Sequence, residues 1–404
     1  MTHPVSFNKS PDCRCLSYLS RIPRVVIYLL AFWGFMLTGC QPGLTTATPT
    51  QATSYSLKVI NGSGGGKYQE GSTVHVWANP YPPGPTFDTW RGDTHPSPDI
   101  RSMHATMIMP AQDIQIEATY KQILKWGASF ASMFGRDVYY YFPPSGYKGV
   151  IVFFHGSGGD AREWSDLGAE RRHFFDDAIA DRYAILAIDS ADRINKQWNL
   201  NLSPASNSDI EAIEAILTAF RANGQLAAGT PVYGVGMSQG GRFAALASYT
   251  LGMKATAIWV GAGHAEVMEV TTVPTMWCLA DHDPIIDRQE VSAQYQGLID
   301  RGVDTIFYIN SQTPLYPLYF VNIEGIDQTA SAELFAELKS QGYLDENYFL
   351  IDNPRLSKWE KHVGLEYSEA ARLDIQDRLF VAYAEHAFYG NCDHRVLDFF
   401  NSHP

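Results

Sequence analysis

Basic residues are in short supply. The 404-residue chain carries 30 Lys and Arg against 43 Asp and Glu, a formal charge of −13. A surface that acidic repels phosphate backbones, so no nucleic-acid partner is expected. Charged residues of either sign make up only 18% of the chain and aromatics 13%, which argues against disorder and against a coiled coil. Long apolar runs are lacking as well. The one candidate, Val25 to Gly39, has roughly fifteen residues where a spanning helix needs about 20. Together with a mean hydropathy of −0.17, this excludes a polytopic membrane protein. What is plentiful is apolar content, 45%, enough for one large domain or two unequal ones.

The short apolar run follows Arg21 and Arg24 and ends at Leu37-Thr38-Gly39-Cys40. A basic flank, a short apolar core and small residues before a cut site describe a secretory signal. The ending resembles the lipobox of bacterial lipoproteins. That likeness implies removal of residues 1–39, acylation of Cys40, and a membrane partner through the lipid. The protein is then expected to be exported and lipid-anchored at a bacterial cell envelope. Residues 40–54 (CQPGLTTATPTQATS) read as a flexible tether.

From 55 to 121 short alternating segments (Ser56 to Ile60, Thr73 to Trp77, Ile114 to Ala118) lie between Gly- and Pro-rich turns, the pattern of a small all-β module. Tyr68, Gly71, Val74, Val76, Phe87, Trp90, Gly92-Asp93, Met109-Pro110 and Ala118-Thr119-Tyr120 fall in an order that resembles the internalin-type B-repeat. The resemblance implies a spacer, or a module that contacts a cell surface or polysaccharide. It holds no His/Cys/Asp cluster with metal-ligand spacing.

Residues 122–404 show a different rhythm. Strand candidates Gly149 to Phe154, Tyr183 to Ile188, Pro231 to Gly236, Ala255 to Val260, Pro274 to Leu279 and Asp304 to Ile309 alternate with helical stretches. Those helices are Arg162 to Ala180, Ser208 to Asn223, Gly240 to Tyr249 and Asp287 to Gly302. Such alternation predicts an α/β fold with a mostly parallel, doubly wound sheet. Residues 312–376 break the pattern and read as an insertion or lid.

Gly236-Met237-Ser238-Gln239-Gly240 matches G-x-S-x-G. It follows an apolar strand and opens a helix of small residues, the setting of a nucleophile elbow. A serine hydroxyl needs a base to remove its proton, and the base needs an acid to orient it. At this point residues 139–404 resemble an α/β-hydrolase, a family whose triad runs Ser, Asp, His. The likeness implies Ser238 as nucleophile and Asp283 as acid, in Ala280-Asp281-His282-Asp283-Pro284, with Asp281 the alternative. It implies His386 as base, on the loop before the last helix, with His394 its rival. His155-Gly156-Ser157-Gly158-Gly159 resembles the family's oxyanion loop, so the backbone N–H groups of Ser157 and Gln239 are the expected donors, with His155 bracing the loop. Trp164, Met237 and the 312–376 segment are candidates for shaping the pocket. His264, His282 and His362 read as rim or surface residues.

This chemistry needs neither metal nor organic cofactor. The short oxyanion loop resembles extracellular feruloyl, acetylxylan and polyester-depolymerase-like hydrolases, which implies a small-molecule or polymeric ester as substrate. A serine peptidase of the same fold, or a cell-surface binding protein with an inactive hydrolase domain, are the alternatives. If the triad assembles, Cys278 and Cys392 approach the same end of the sheet, and an exported protein could bridge them.

Overall fold

A computed structural model describes residues 53–404 other than 81–84, 96, 98, 123–125, 167, 322 and 362–365. The signal-like run, Cys40, most of the tether and His362 lie outside the described residues.

Among the described residues, seven strands build the N-terminal module: β1 (Ser54–Ile60), β2 (Gly62–Ser63), β3 (Gly66–Gln69), β4 (Thr73–Ala78), β5 (Pro85–Gly92), β6 (His104–Ile108) and β7 (Ile114–Gln122). They form two small sheets, ordered β3-β1-β7-β5 and β2-β4-β6. The alternation read from the sequence sends Leu57, Val74, Val76, Ile114 and Ile116 inward, around Phe87 and Trp90.

A hairpin of β8 (Ser129–Met133) and β9 (Arg136–Tyr141) then leads into β10 (Gly149–Phe154), α1 (Arg162–Asp166), α2 (Ala169–Ala180), β11 (Tyr183–Ile188), α3 (Ser208–Ala222) and β12 (Val232–Met237). After these come α4 (Gln239–Leu251), β13 (Thr256–Trp259), α5 (Ala265–Val270), β14 (Thr275–Ala280), α6 (Arg288–Asp300) and β15 (Thr305–Asn310). The chain ends with α7 (Gln328–Ser340), α8 (Pro354–Ser357), α9 (Glu369–Tyr383) and α10 (Asp393–Asn401). The sheet order is β15-β14-β13-β12-β10-β11-β9-β8. β10 to β15 are parallel, and β9 and β8 add an antiparallel edge.

All six residues of β10, β11 and β14 are buried, as strands covered on both faces must be. Alternate residues feed two cores. Ile151, Phe153, Tyr233, Trp259 and Cys278 meet α2 and α10, whereas Val150, Val152, Phe154, Ile258 and Trp277 meet α3, α4 and α6. Asn207 caps α3 by accepting from the amides of Asp209 and Ile210, which closes two of the orphan donors at that end.

Two expectations need correction. The helix expected over 162–180 is broken, because Gly168 takes φ 87°, a left-handed conformation that no α-helix continues through. The 312–376 segment is not separable at its C-terminal side: α9 runs on to Tyr383 and shares a core with Leu315, Phe320, Leu334, Leu338 and Trp359.

The module docks on the larger α/β part. Asp99 takes Arg395 at 2.6 Å and His394 at 3.2 Å, Thr86 Oγ1 donates to Asp177, and Trp77 stacks on Tyr316 with centroids 4.9 Å apart.

Candidate active site

β10 is the central strand, with β11 on one side and β12 on the other. The chain therefore changes winding direction between β10 and β12, the position where open α/β sheets leave a crevice beyond their carboxyl ends. The two loops that flank it are residues 155–159 after β10 and Ser238 after β12. Phe154 pairs with Gly236, which brings those loops side by side.

Ser238 has φ 55° and ψ −121°, a strained conformation for a residue with a Cβ. Small neighbours permit it. A Cβ on Gly236 would lie 2.0 Å from the Gly240 carbonyl oxygen, and one on Gly240 would lie 2.3 Å from the carbonyl oxygens of Phe154 and His155. The Ser238 amide donates to Trp259 O at 2.9 Å, which ties the turn to β13.

His386 and Asp283 come together: Nδ1 of His386 lies 2.8 Å from Asp283 Oδ2, with side chains 10% and 3% exposed. The other carboxylate oxygen accepts from the amides of Ile285 and Ile286 at 2.8 and 3.3 Å. With Nδ1 facing the acid, Nε2 of His386 is the nitrogen left for a second partner. The His386 loop is fastened to the serine turn through one residue. Trp259, whose carbonyl takes the Ser238 amide, donates its indole N–H to Tyr389 O at 3.0 Å and stacks on Phe388 at 4.6 Å. Asp281 instead pairs with Arg288 at 3.2 Å, 45% exposed.

Gln239 is the first residue of α4, so its amide has no carbonyl partner within the helix. Ser157 Oγ donates to Gln197 Oε1 at 3.2 Å, and Gln239 Oε1 accepts from the Trp198 amide at 3.1 Å. One segment therefore holds the side chains of both expected oxyanion residues. Trp198 stacks on Phe243 at 4.3 Å and donates its indole N–H to His155 O at 2.8 Å. The sequence reading passed over Gln197 and Trp198. The signal available was a lone Trp in the polar stretch Asn195 to Asn201. His155 is buried, donates from Nδ1 to Gly156 O and accepts from the Ser190 amide on Nε2. Burial lowers its pKa to about 4, so the ring is neutral and can serve as donor and acceptor at once.

Other candidates fall elsewhere. Trp164, 2% exposed, packs against Phe153 and Phe388 in the core. Met237 is half-buried, with its sulfur 4.0 Å from Arg171 Nη2. His264 is buried at the start of α5 and bonds Leu200 O, so it is not a rim residue. His394 faces Asp99 of the module. Cys278 and Cys392 do approach, with sulfurs 3.1 Å apart, yet both are free thiols. Each sits in the apolar core, where a thiol packs as a small hydrophobe.

A side-chain cluster not read from the sequence joins α2 to α10, where His173 Nδ1 and Asp393 Oδ2 are 2.8 Å apart.

Sequence comparison matches residues 55–124 to the divergent InlB B-repeat domain and residues 151–360 to the alpha/beta hydrolase family. No curated protein matches the chain. Among solved structures, an acetyl xylan esterase from Aspergillus awamori is 12% identical, with 43% of this chain and 81% of that one covered at a TM-score of 0.36. A ferulic acid esterase is 15% identical, with 45% and 87% covered at 0.36. Thermogutta terrifontis esterase 2, phosphorylated by paraoxon, is 15% identical, with 55% and 98% covered at 0.36. Since the second profile spans just over half of the sequence, and falls on a sheet wound about β10 with a strained serine after β12, the chain belongs to the alpha/beta hydrolase family.

Proposed function

We propose that this protein is an exported serine hydrolase that cleaves carboxylic esters through an acyl-enzyme. The observation that carries the reading is the 2.8 Å contact of His386 with Asp283, on a loop fastened through Trp259 to the strained Ser238 turn.

Ser238 Oγ attacks the ester carbonyl carbon while His386 Nε2 takes the hydroxyl proton. Asp283 holds the ring in the tautomer with its proton on Nδ1 and stabilises the imidazolium. The amides of Ser157 and Gln239 face the oxygen that becomes negative. As the tetrahedral intermediate collapses, the C–O bond to the alcohol breaks and His386 returns the proton to the leaving oxygen. Water then attacks the acyl-enzyme with His386 as base, and the acid departs with Ser238 restored. An ester is preferred over a peptide because the short loop at 155–159 resembles that of extracellular ester hydrolases.

Labelling with a fluorophosphonate probe, alongside hydrolysis of p-nitrophenyl esters of graded chain length, tests the reading. Wild type is expected to label and turn over, and Ser238→Ala to do neither while keeping its thermal midpoint. Labelling that persists in Ser238→Ala overturns it. Export rests on the segment before Cys40; labelled palmitate incorporated by bacterial cells expressing the full chain, and lost in Cys40→Ser, is the expected result there.

A further inference from the structure

We infer that His173, Asp177 and Asp393 form a site for one divalent transition cation, best suited to zinc, where the β-module meets the catalytic part. His173 and Asp177 are four residues apart on α2 and so share one helix face. Asp393 opens α10 and faces them. The candidate ligand atoms of the three all lie within 4.8 Å of one another. Ligand atoms that share one ion at about 2.0–2.2 Å stand roughly 3.3–3.6 Å apart in a tetrahedral set, so side-chain rotations must open the 2.8 Å contact of His173 with Asp393 and draw the third ligand in. An imidazole with two carboxylates is a donor set that zinc accepts.

The independent pointer is a pair of unsatisfied atoms. Asp393 is 1% exposed, yet its Oδ1 has no hydrogen-bond partner among the described residues, and neither has the buried Nε2 of His173. A dry carboxylate oxygen is costly to leave unpaired, and such atoms in a folded protein call for a ligand or water. Neighbouring cations do not supply the need. Arg378 is committed to Glu170 and to Tyr319 O. Lys121 pairs with Asp177 at 3.4 Å and leaves Asp393 Oδ1 without a partner among the described residues. All three proposed ligands line a cavity of about 80 Å³, room for an ion and one or two waters at about 30 Å³ each. Trp77, Phe87 and His104 of the module line the same cavity.

An ion there joins α2 to α10 directly beneath the module. Asp177 already accepts from Thr86 Oγ1 of β5 at 3.2 Å, so the cation fixes the carboxylate on which the module rests. Its role is structural, and the site is separate from Ser238, His386 and Asp283. A proton is the rival occupant. Burial by itself lowers the His173 pKa, but the charges of Asp177 and Asp393 outweigh it and hold the ring at about 9.

The test uses the full chain, stripped with a chelator and titrated with Zn2+ by calorimetry, with zinc-edge anomalous scattering to locate the ion. One zinc per chain at these residues and a raised thermal midpoint are expected. Affinity should fall at least about tenfold in His173→Gln and in Asp177→Asn. Both substitutions roughly keep size and leave a polar side chain, and the amide oxygen in Asp177→Asn can still accept from Thr86 Oγ1, which guards against misfolding. No zinc bound by wild type, with His173 titrating near 9 by NMR, overturns the inference. So does binding of equal strength in both folded variants, or an ion located elsewhere.

Discussion

Asp281 and Asp283 stand two residues apart, yet only one of them faces an imidazole. Asp283 is nearly enclosed and holds His386, while Asp281 is 45% exposed and holds Arg288. If Asp283 sets the His386 tautomer, Asp283→Asn should lower kcat by about 10⁴-fold, and Asp281→Asn should leave it within about twofold. Steady-state hydrolysis by the two variants decides the matter, and the reverse ranking refutes the assignment. Glu385, beside His386, is a second case. Its fully buried carboxylate receives both prongs of Arg355 at 2.7 Å. Removing the guanidinium strands that charge. Arg355→Ala is therefore expected to cost about 2–3 kcal/mol, at the low end of buried pairs because Arg355 is 46% exposed. It should also slow turnover about tenfold as the His386 loop shifts. Thermal melts and hydrolysis rates together check this, and Arg355→Lys should recover only part, since lysine lacks the fork.

At the scale of elements, the serine turn depends on how closely α4 approaches the end of β10. Gly240→Ala places a methyl carbon 2.3 Å from two backbone carbonyl oxygens, and neither can rotate away. A destabilisation of about 3 kcal/mol is expected, with loss of ester hydrolysis; an unchanged urea midpoint would sink this account. The glycines flanking Ser238 were legible in the sequence because only glycine fits such contacts. The brace supplied by Trp198 was not, since its partners His155, Gln239 and Phe243 are distant in the chain and only the fold stacks them. The break at Gly168 was visible as a residue but not as an event, because glycine is tolerated inside helices and local spacing does not reveal φ.

For the molecule as a whole, one buried histidine at the seam between the module and the α/β part contributes to the acid response. His104 stacks near Trp77 and shares a 3.0 Å contact with His75. Burial, with the adjacent His75, lowers its pKa to about 3. The unfolded value is about 6.5, so on acidification the unfolded chain takes up a proton that the folded one does not. Stability attributable to this site is intact above about 6.5 and is lost as pH falls toward 3, by up to about 1.4 kcal/mol per unit. Chemical denaturation between pH 7 and 4 should show a shallower decline in His104→Gln than in wild type. Equal slopes would remove His104 from the account.

By itself the sequence marked the buried parallel strands β10 to β15 and most of the helices between them, and it placed a serine between glycines after one of those strands. Those features are local: an apolar run must be buried on both faces, and a serine between glycines can take a strained turn. It also carried the approach of Cys278 to Cys392, expected from their places close to Asp283 and His386 in the chain. Only the tertiary structure decided which aspartate meets His386, that Trp164 is core, and that the module rests on α2 and α10. Each of those depends on side chains that are far apart in the chain and share one small volume, where burial and charge are set by neighbours that no local pattern names.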